Sequence, residues 1–307
     1  MARKPREISE REATGEIERV FHEVKQVFRV TGVNLVFRLW ASHERFFVAM
    51  WDAMRPNAET RAFEDAADQV REEGVRHARA LGVLGRGAMD GLRLGQSQRF
   101  QLERALELYH YADPKLLVFV SAVRMALDGE HFAGAGGRAD RIERGIPTRM
   151  APMEMLDEQP DEPRLRTLFK DIKKTLELPA INSAYRTLGL WPEYLESAWG
   201  KLEPMVRRDD YRAAADDLRD TSRRLVRGLP YPIPLSREKV AALGDDVQGV
   251  LELTHRFEQL LPPLVLNIAL LSLDVLGPRA FERSPFPAAP REEHGPGGPL
   301  PYEGTLQ

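Results

Sequence analysis

The stretch VNLVFRLWASHERFFVAMWDAMRP, residues Val33–Pro56, has a second copy in the same chain. That copy is INSAYRTLGLWPEYLESAWGKLEP, residues Ile181–Pro204, at a constant offset of 148 residues. Between 33–82 and 181–230, 11 of 50 positions are identical without a gap, which indicates an internal duplication. The repeat is too long for a solenoid, so it predicts two related helical halves arranged about a pseudo-twofold axis.

Apolar residues recur at three- and four-residue spacing, and no segment shows sustained two-residue alternation between hairpin turns. We therefore predict an all-α protein. The predicted organisation is a charged tail (1–15), helical repeat 1 (16–129), a linker rich in Gly, Pro and charge (130–162), helical repeat 2 (163–283) and a Pro/Gly-rich tail (284–307).

The pair Asp113-Pro114 is a local start signal for a helix, because Asp is a favoured N-cap and Pro is favoured at the first helical position. We therefore predict separate helices before and after Asp113, and another separate helix over 264–277 in the second repeat. The long helices are predicted over 59–81 and 209–226.

The composition argues against several classes of partner. The chain of 307 residues has 44 basic and 47 acidic residues, a net charge of −3, so no overall field draws it to nucleic acid. It has no cysteine, which excludes disulfides, thiolate metal sites and thiol nucleophiles. The N-terminus has no apolar signal region, and the apolar run 264–276 is too short to span a bilayer. We predict a cytoplasmic protein without a membrane partner.

Two polar pairs occupy equivalent places in the repeats. Asn34 with Arg38, and Asn182 with Arg186, each share one helix face at a spacing of four residues. Together they could hold a small carboxylate through amides and guanidiniums. The alternative is structural, with the Asn residues capping helices and the Arg residues pairing with surface acids.

A third pair, Thr60 and Glu64, has the same spacing on the first turns of a long helix. Its structural alternative is a helix cap with Glu favoured by the helix dipole. The seven histidines show no metal-binding spacing, so we predict no metal site.

Residues 16–287 resemble the group I 2-haloacid dehalogenases. The doubled helical architecture carries the resemblance, together with short motifs in a characteristic order. These motifs are Arg29-Val30, Ala66-Ala67-Asp68, the run from Tyr111 to Leu117, Trp191-Pro192, the run from Arg224 to Pro230, and the run from Ser284 to Pro287.

The resemblance implies a pseudo-dimer of two helical repeats with the active site between them and no cofactor. It also implies that an aspartate activates a water, which displaces halide from C2 of a short 2-haloacid with inversion and without a covalent intermediate. The implied partner is a small-molecule carboxylic acid, and a homodimer stays open.

Carried over by position, the resemblance places Ala184 where the family has its catalytic Asp, directly before Tyr185. Asp113 stands where the family has its water-orienting Asn. Ser183 is retained, and Thr60 and Glu64 match positions linked to activity. The predicted catalytic residues are Asp113, Glu64 and Thr60; the predicted substrate-binding residues are Asn34, Asn182, Ser183, Ala184, Arg38, Arg186, Gly32 and Leu35.

Three functional hypotheses follow. The first is a 2-haloacid dehalogenase whose base has moved to Asp113, in the other repeat. The second is a binder of, or a different enzyme acting on, a small carboxylic acid on the same scaffold. The third is a family member that is not catalytic.

Overall fold

The computed structural model describes residues 6–82, 84, 87–134, 139–277 and 284–291, and within these ranges it contains helices and no strand. The prediction of an all-α protein is confirmed. The helices are α1 (Gly15–Phe28), α2 (Leu35–Trp40), α3 (Glu44–Ala58), α4 (Arg61–Leu81), α5 (Gln96–Leu127), α6 (Pro163–Thr175), α7 (Ser183–Leu188), α8 (Pro192–Val206), α9 (Asp209–Val226), α10 (Arg237–Leu243) and α11 (Val247–Leu276).

The core is built on α5 and α11, which pack along each other and against α4 and α9. Most residues of both central helices are buried, and α11 and the C-terminal part of α5 are strongly apolar. Gly74 of α4 allows a close approach to α11, since a Cβ there would lie 3.2 Å from a methyl of Val265. Burial of this apolar surface supplies the main driving force for the fold.

The predicted helix start at Asp113 is wrong, because α5 continues through Pro114 as one helix. The same holds for the predicted separate helix over 264–277, which is the end of α11 and follows Pro262 and Pro263 without a break. A proline inside a helix removes one hydrogen bond. In both helices the apolar burial on either side of the proline outweighs this loss.

The helix α11 is long and apolar enough to cross a bilayer by length and composition, unlike the shorter run considered from sequence. Most of its apolar window is buried against the rest of the chain, as in the core helix of a water-soluble domain. Its partners are α4, α5 and α9, and these contacts explain its apolar composition.

Helix starts recur at the offset of the sequence repeat. Helices α2, α3 and α4 begin at Leu35, Glu44 and Arg61, and α7, α8 and α9 begin 148 residues later in each case. Pro114 and Pro262 are also separated by this offset. The two halves therefore share an element order, while the pseudo-twofold axis itself stays a prediction.

The described part of the linker packs on the body through buried Glu59. This carboxylate contacts Arg144 at 2.5 Å, Arg291 at 3.3 Å and Arg141 at 3.4 Å. Isolated β-bridges join Thr60 to Arg141 and residue 142 to residue 290. One buried acid thus fastens both the linker and the C-terminal segment to the start of α4.

The described part of the N-terminal tail also lies on the body. Glu7 pairs with Arg38 at 2.8 Å, and Glu10 pairs with Lys25 at 2.8 Å. Glu10 also accepts a hydrogen bond from the backbone of Val33 at 2.8 Å. Residues 1–5 and 292–307 of the predicted tails lie outside the described residues.

A fully buried ion pair joins α4 to α5. Lys115 Nζ lies 2.6 Å from Glu64 Oε2, and each side chain is only 2% exposed. Burial lowers the pKa of Lys115, and the Glu64 carboxylate opposes this shift. Lys115 also donates to the hydroxyl of Tyr111 at 2.6 Å and to the carbonyl of Phe28 at 3.2 Å.

We expect Lys115→Met to lower the free energy of unfolding by about 3–5 kcal/mol, because it leaves the Glu64 carboxylate buried without its cation. Urea unfolding measures the loss. The double variant Glu64→Met/Lys115→Met should recover most of it, since no buried charge remains. The control Lys173→Met removes an exposed partner of Glu158 and should be neutral. Equal losses in the single and double variants would contradict this account.

Candidate active site

A cavity lies between the two halves, bounded by α2, α5, α7 and α11. It encloses about 500 Å³ of empty space, including its open mouth. Its polar lining residues are Asn34, Tyr109, Asp113, Asn182 and Ser183. Its apolar lining residues are Leu35, Val36, Leu116, Leu178, Pro179, Ala180, Ala184, Phe257, Leu260, Leu261 and Leu264. The cavity is thus an apolar slot with a few polar groups, the usual composition of a small-molecule site.

Among the described residues that line this cavity, Asp113 alone has an acidic side chain. It lies in the middle of α5, and its residue is 1% exposed. Its Oδ2 is buried and makes no hydrogen bond. Burial raises the pKa of Asp113 well above the ordinary value of 3.8. An unpaired buried carboxyl is costly for stability and is typical of a functional site.

Ala184 lies in the same lining, on the first turn of α7. Its methyl group cannot accept a proton, and the carboxyl group in the lining is that of Asp113 on α5. Beside it, Ser183 Oγ accepts a hydrogen bond from Arg38 at 3.4 Å. The structure therefore brings Asp113, Ser183 and Ala184 to one cavity.

The two repeat-equivalent asparagines have different roles. Asn182 caps α7, because its Oδ1 accepts from the backbone of Tyr185 at 3.2 Å. This leaves the Nδ2 group of Asn182 to donate to a ligand. Asn34 precedes α2 but makes no side-chain cap, and its buried Oδ1 makes no hydrogen bond. Asn34 therefore lines the cavity with an unpaired amide oxygen, which a hydrogen-bond donor could satisfy.

Tyr109 has a hydroxyl whose proton can be assigned. The hydroxyl of Thr187 donates to the carbonyl of Glu154 at 2.5 Å, which uses its single proton. Tyr109 lies 2.7 Å from Thr187 Oγ1 and must donate to it. The Tyr109 oxygen can consequently act toward any further partner only as an acceptor, and burial raises the pKa of Tyr109 above its ordinary value.

The predicted guanidinium clamp is not assembled in the cavity lining. Arg38 lies behind the wall, where it donates to the carbonyl of Val33 at 2.6 Å and pairs with Glu7 at 2.8 Å. Arg186 donates to the carbonyl of Leu156 at 2.6 Å. Both guanidiniums are committed to protein acceptors, which favours the structural alternative. Arg38 reaches the cavity only through Ser183.

Three other predicted site residues lie outside the cavity lining. Thr60 caps α4, with its Oγ1 accepting from the backbone of Phe63 at 3.1 Å. Glu64 is held by Lys115 in the buried ion pair. Gly32 packs against Met153, where a Cβ would lie 2.9 Å from the Met153 Cβ. Leu35, by contrast, lines the cavity as predicted.

Sequence reasoning missed Tyr109 and the wall formed by α11. The α11 residues Phe257, Leu260, Leu261 and Leu264 line the cavity next to Pro262. The repeat offset pairs Leu261 with Asp113, so this wall could have been found by matching the second repeat to Asp113.

A second, more open cavity of about 1,100 Å³ adjoins the first between α7, α9 and α11. The two share a wall made of Leu178, Asn182, Leu260 and Leu264. Behind that wall, Tyr185 accepts a hydrogen bond from Asn267 at 2.8 Å. The inner cavity is thus separated from a larger surface cavity mainly by aliphatic side chains.

Comparison with known proteins agrees with this architecture. The family model described as halocarboxylic acid dehydrogenase DehI matches residues 31–185. An (R)-2-haloacid dehalogenase of Pseudomonas putida is 31% identical over 274 residues, covering 86% of this chain and 90% of that protein. An (R)-2-haloacid dehalogenase of Rhizobium sp. (strain NHG3) is 30% identical over 240 residues, covering 76% of this chain and 92% of that protein.

A solved structure of a D-2-haloacid dehalogenase in complex with L-LA superposes with a TM-score of 0.82 at 26% identity. It covers 89% of this chain and 96% of the other. The all-helical fold and the cavity between the halves thus define a haloacid dehalogenase scaffold. The chain belongs to the DehI family of 2-haloacid dehalogenases.

We expect Asp113→Asn to stabilise the unliganded protein increasingly as pH rises from about 4. The raised pKa means that the folded protein holds this proton more tightly than the unfolded chain does. The stability that Asp113 contributes is therefore full at low pH and is lost as pH rises through the folded-state pKa. The amide does not titrate, so the variant escapes this loss.

Urea unfolding of both proteins across a pH series measures the difference. Curves of unfolding free energy that stay parallel from about pH 4 upward would contradict the raised pKa.

Proposed function

We propose that this chain is a hydrolase that removes halide from C2 of short 2-haloalkanoic acids and that Asp113 is its general base. The observation that carries the proposal is the position of Asp113. It is an unpaired, buried carboxyl in an apolar cavity, in a chain that belongs to a family of 2-haloacid dehalogenases.

The proposed step is a direct displacement. The Asp113 carboxylate takes a proton from a water in the cavity while the water oxygen bonds to C2. The carbon–halogen bond breaks with its electron pair leaving as halide, on the side opposite the water. The product is a 2-hydroxy acid of inverted configuration, and Asp113 then loses its proton to solvent.

In this proposal, uncharged side chains donate hydrogen bonds to the substrate carboxylate. Asn34, Asn182 and Ser183 lie in the lining, and each can donate a hydrogen bond from its side-chain amide or hydroxyl. Arg38 supports this end of the cavity through its contact with Ser183 at 3.4 Å. The alkyl group and the halogen would occupy the aliphatic wall, which excludes water and strengthens the polar interactions inside.

We expect kcat/KM for halide release to rise with pH and to level off above the raised pKa of Asp113. Only the carboxylate form can accept the proton from water, so activity falls as pH drops through that pKa. Initial rates with 2-chloropropionate from about pH 5 to about pH 10 measure the profile. A rate that does not change over this range would count against a base with a raised pKa.

We expect Asp113→Asn to lower halide release by about 10²–10⁴-fold, the usual effect of losing a general base. The double variant Asp113→Asn/Ala184→Asp places an amide on α5 and a carboxylate on α7, the arrangement that the family resemblance implies. It should recover activity that Asp113→Asn alone has lost. Ion chromatography of chloride released from D- and L-2-chloropropionate measures both.

The matched control is Asp274→Asn, which changes a half-buried carboxyl of α11 that lies outside the cavity and accepts from the backbone of Ala88. It should leave the rate unchanged. An Asp113→Asn variant with the wild-type rate would place the base elsewhere, and a wild-type protein without halide release would refute the dehalogenase proposal.

A second candidate function is the binding of a small carboxylic acid without hydrolysis. The raised pKa of Asp113 favours its protonated form, which can donate a hydrogen bond to a ligand carboxylate. Lactate and unhalogenated propionate should then raise Tm more strongly at low pH. Such binding in a protein without halide release would favour this function.

A further inference from the structure

We propose that Glu73, His77 and Asp217 form a zinc-binding site that joins α4 of the first repeat to α9 of the second. Glu73 and His77 lie one turn apart on the same face of α4. Asp217 faces them from α9, and its Oδ2 lies 2.7 Å from His77 Nε2. One ligand atom from each residue lies within 4.8 Å of the other two.

The donor set is suited to zinc. Zinc in proteins is bound by His nitrogen and by carboxylate oxygen at about 2.0–2.2 Å, in a tetrahedral arrangement. Adjacent ligand atoms in such an arrangement are about 3.3–3.6 Å apart. The three groups therefore need only small side-chain rotations to surround one ion. Three protein ligands leave the fourth position for water, and an imidazole among them disfavours Mg²⁺ and Ca²⁺.

The three proposed ligand side chains differ in how far they are exposed to solvent. The exposed fractions are 14% for His77, 33% for Glu73 and 52% for Asp217. His77 is thus held against the helix pair while the acids face solvent. A zinc ion could enter from the surface without any helix moving.

Arg76 now neutralises this cluster. Its guanidinium contacts Glu73 at 2.5 Å, Asp217 at 3.2 Å and His77 at 3.0 Å. Its side chain is 58% exposed, so it can swing into solvent when a metal ion replaces its charge. Arg76 therefore competes with the metal, and its removal should tighten binding.

The site occurs once in the duplicated architecture. At the repeat offset, Glu73 corresponds to Thr221, His77 to Leu225 and Asp217 to Gln69. These three residues do not make a second zinc site. None of the three proposed ligands lines the cavity of Asp113, so this inference does not depend on the proposed function.

The test is calorimetric titration of the metal-free full-length chain with ZnCl₂, together with thermal unfolding. We expect one zinc per chain. We also expect Tm to rise by about 2–4 °C when zinc is about ten times Kd, reversed by EDTA. His77→Gln and Asp217→Asn should each weaken binding by about 100-fold, since loss of a ligand costs at least as much as loss of its supporting hydrogen bond.

Two further variants distinguish zinc binding at this cluster from nonspecific zinc binding to the protein surface. Arg76→Gln should tighten zinc binding by about 2- to 10-fold by removing exposed ion pairs that compete with the metal. His255→Gln removes an exposed histidine of α11 outside the cluster and should leave binding unchanged. Wild-type protein without saturable zinc binding, or a His77→Gln variant that binds zinc equally well, would overturn the proposal.

Discussion

The packing of α5 along α11 is the contact on which the rest of the structure depends. Helix α5 has one interior proline and α11 has two, and each helix continues without a break because apolar surface is buried on both sides. The same packing places Asp113 and Leu261, which correspond by the repeat offset, in the lining of one cavity. The site is thus a consequence of how the two central helices meet.

The charges inside the protein are of two kinds. Glu64 has Lys115, and Glu59 is surrounded by arginines that hold the linker and the C-terminal segment. Asp113 has no such partner, and burial raises its pKa. A buried ion pair opposes separation of the elements that it joins, because separation would leave each charge without its partner. An unpaired buried charge raises the free energy of the folded state. We propose that this unpaired carboxyl is the general base.

Residues that correspond by the repeat offset differ in their contacts. Asn182 caps a helix with its side chain, while Asn34 leaves its oxygen unpaired in the cavity wall. His77 contacts Asp217 across the helix pair, and its counterpart is Leu225. Retained helix bounds preserve the packing, so single side chains have been free to take different roles in each half.

The sequence by itself determined the helical class and the order of the elements. Hydrophobic periodicity and the repeat offset can both be read directly from the order of residues along the chain. The long helix over 209–226, for example, was predicted with its observed bounds. Family resemblance also singled out Ala184, Ser183 and Asp113, which the structure brings to one cavity. The roles of these residues stay predictions.

Only the tertiary structure decided which polar side chains are already paired. The helix break expected at Asp113 failed because long-range burial of α5 outweighs a local capping signal. Arg38 and Arg186 were candidates for a clamp, but acceptors distant in sequence hold them behind the cavity wall. Likewise, Glu73 and His77 meet Asp217 only because α4 and α9 are adjacent. Such pairings depend on the distances between separate helices, and residue spacing along the sequence does not give these distances.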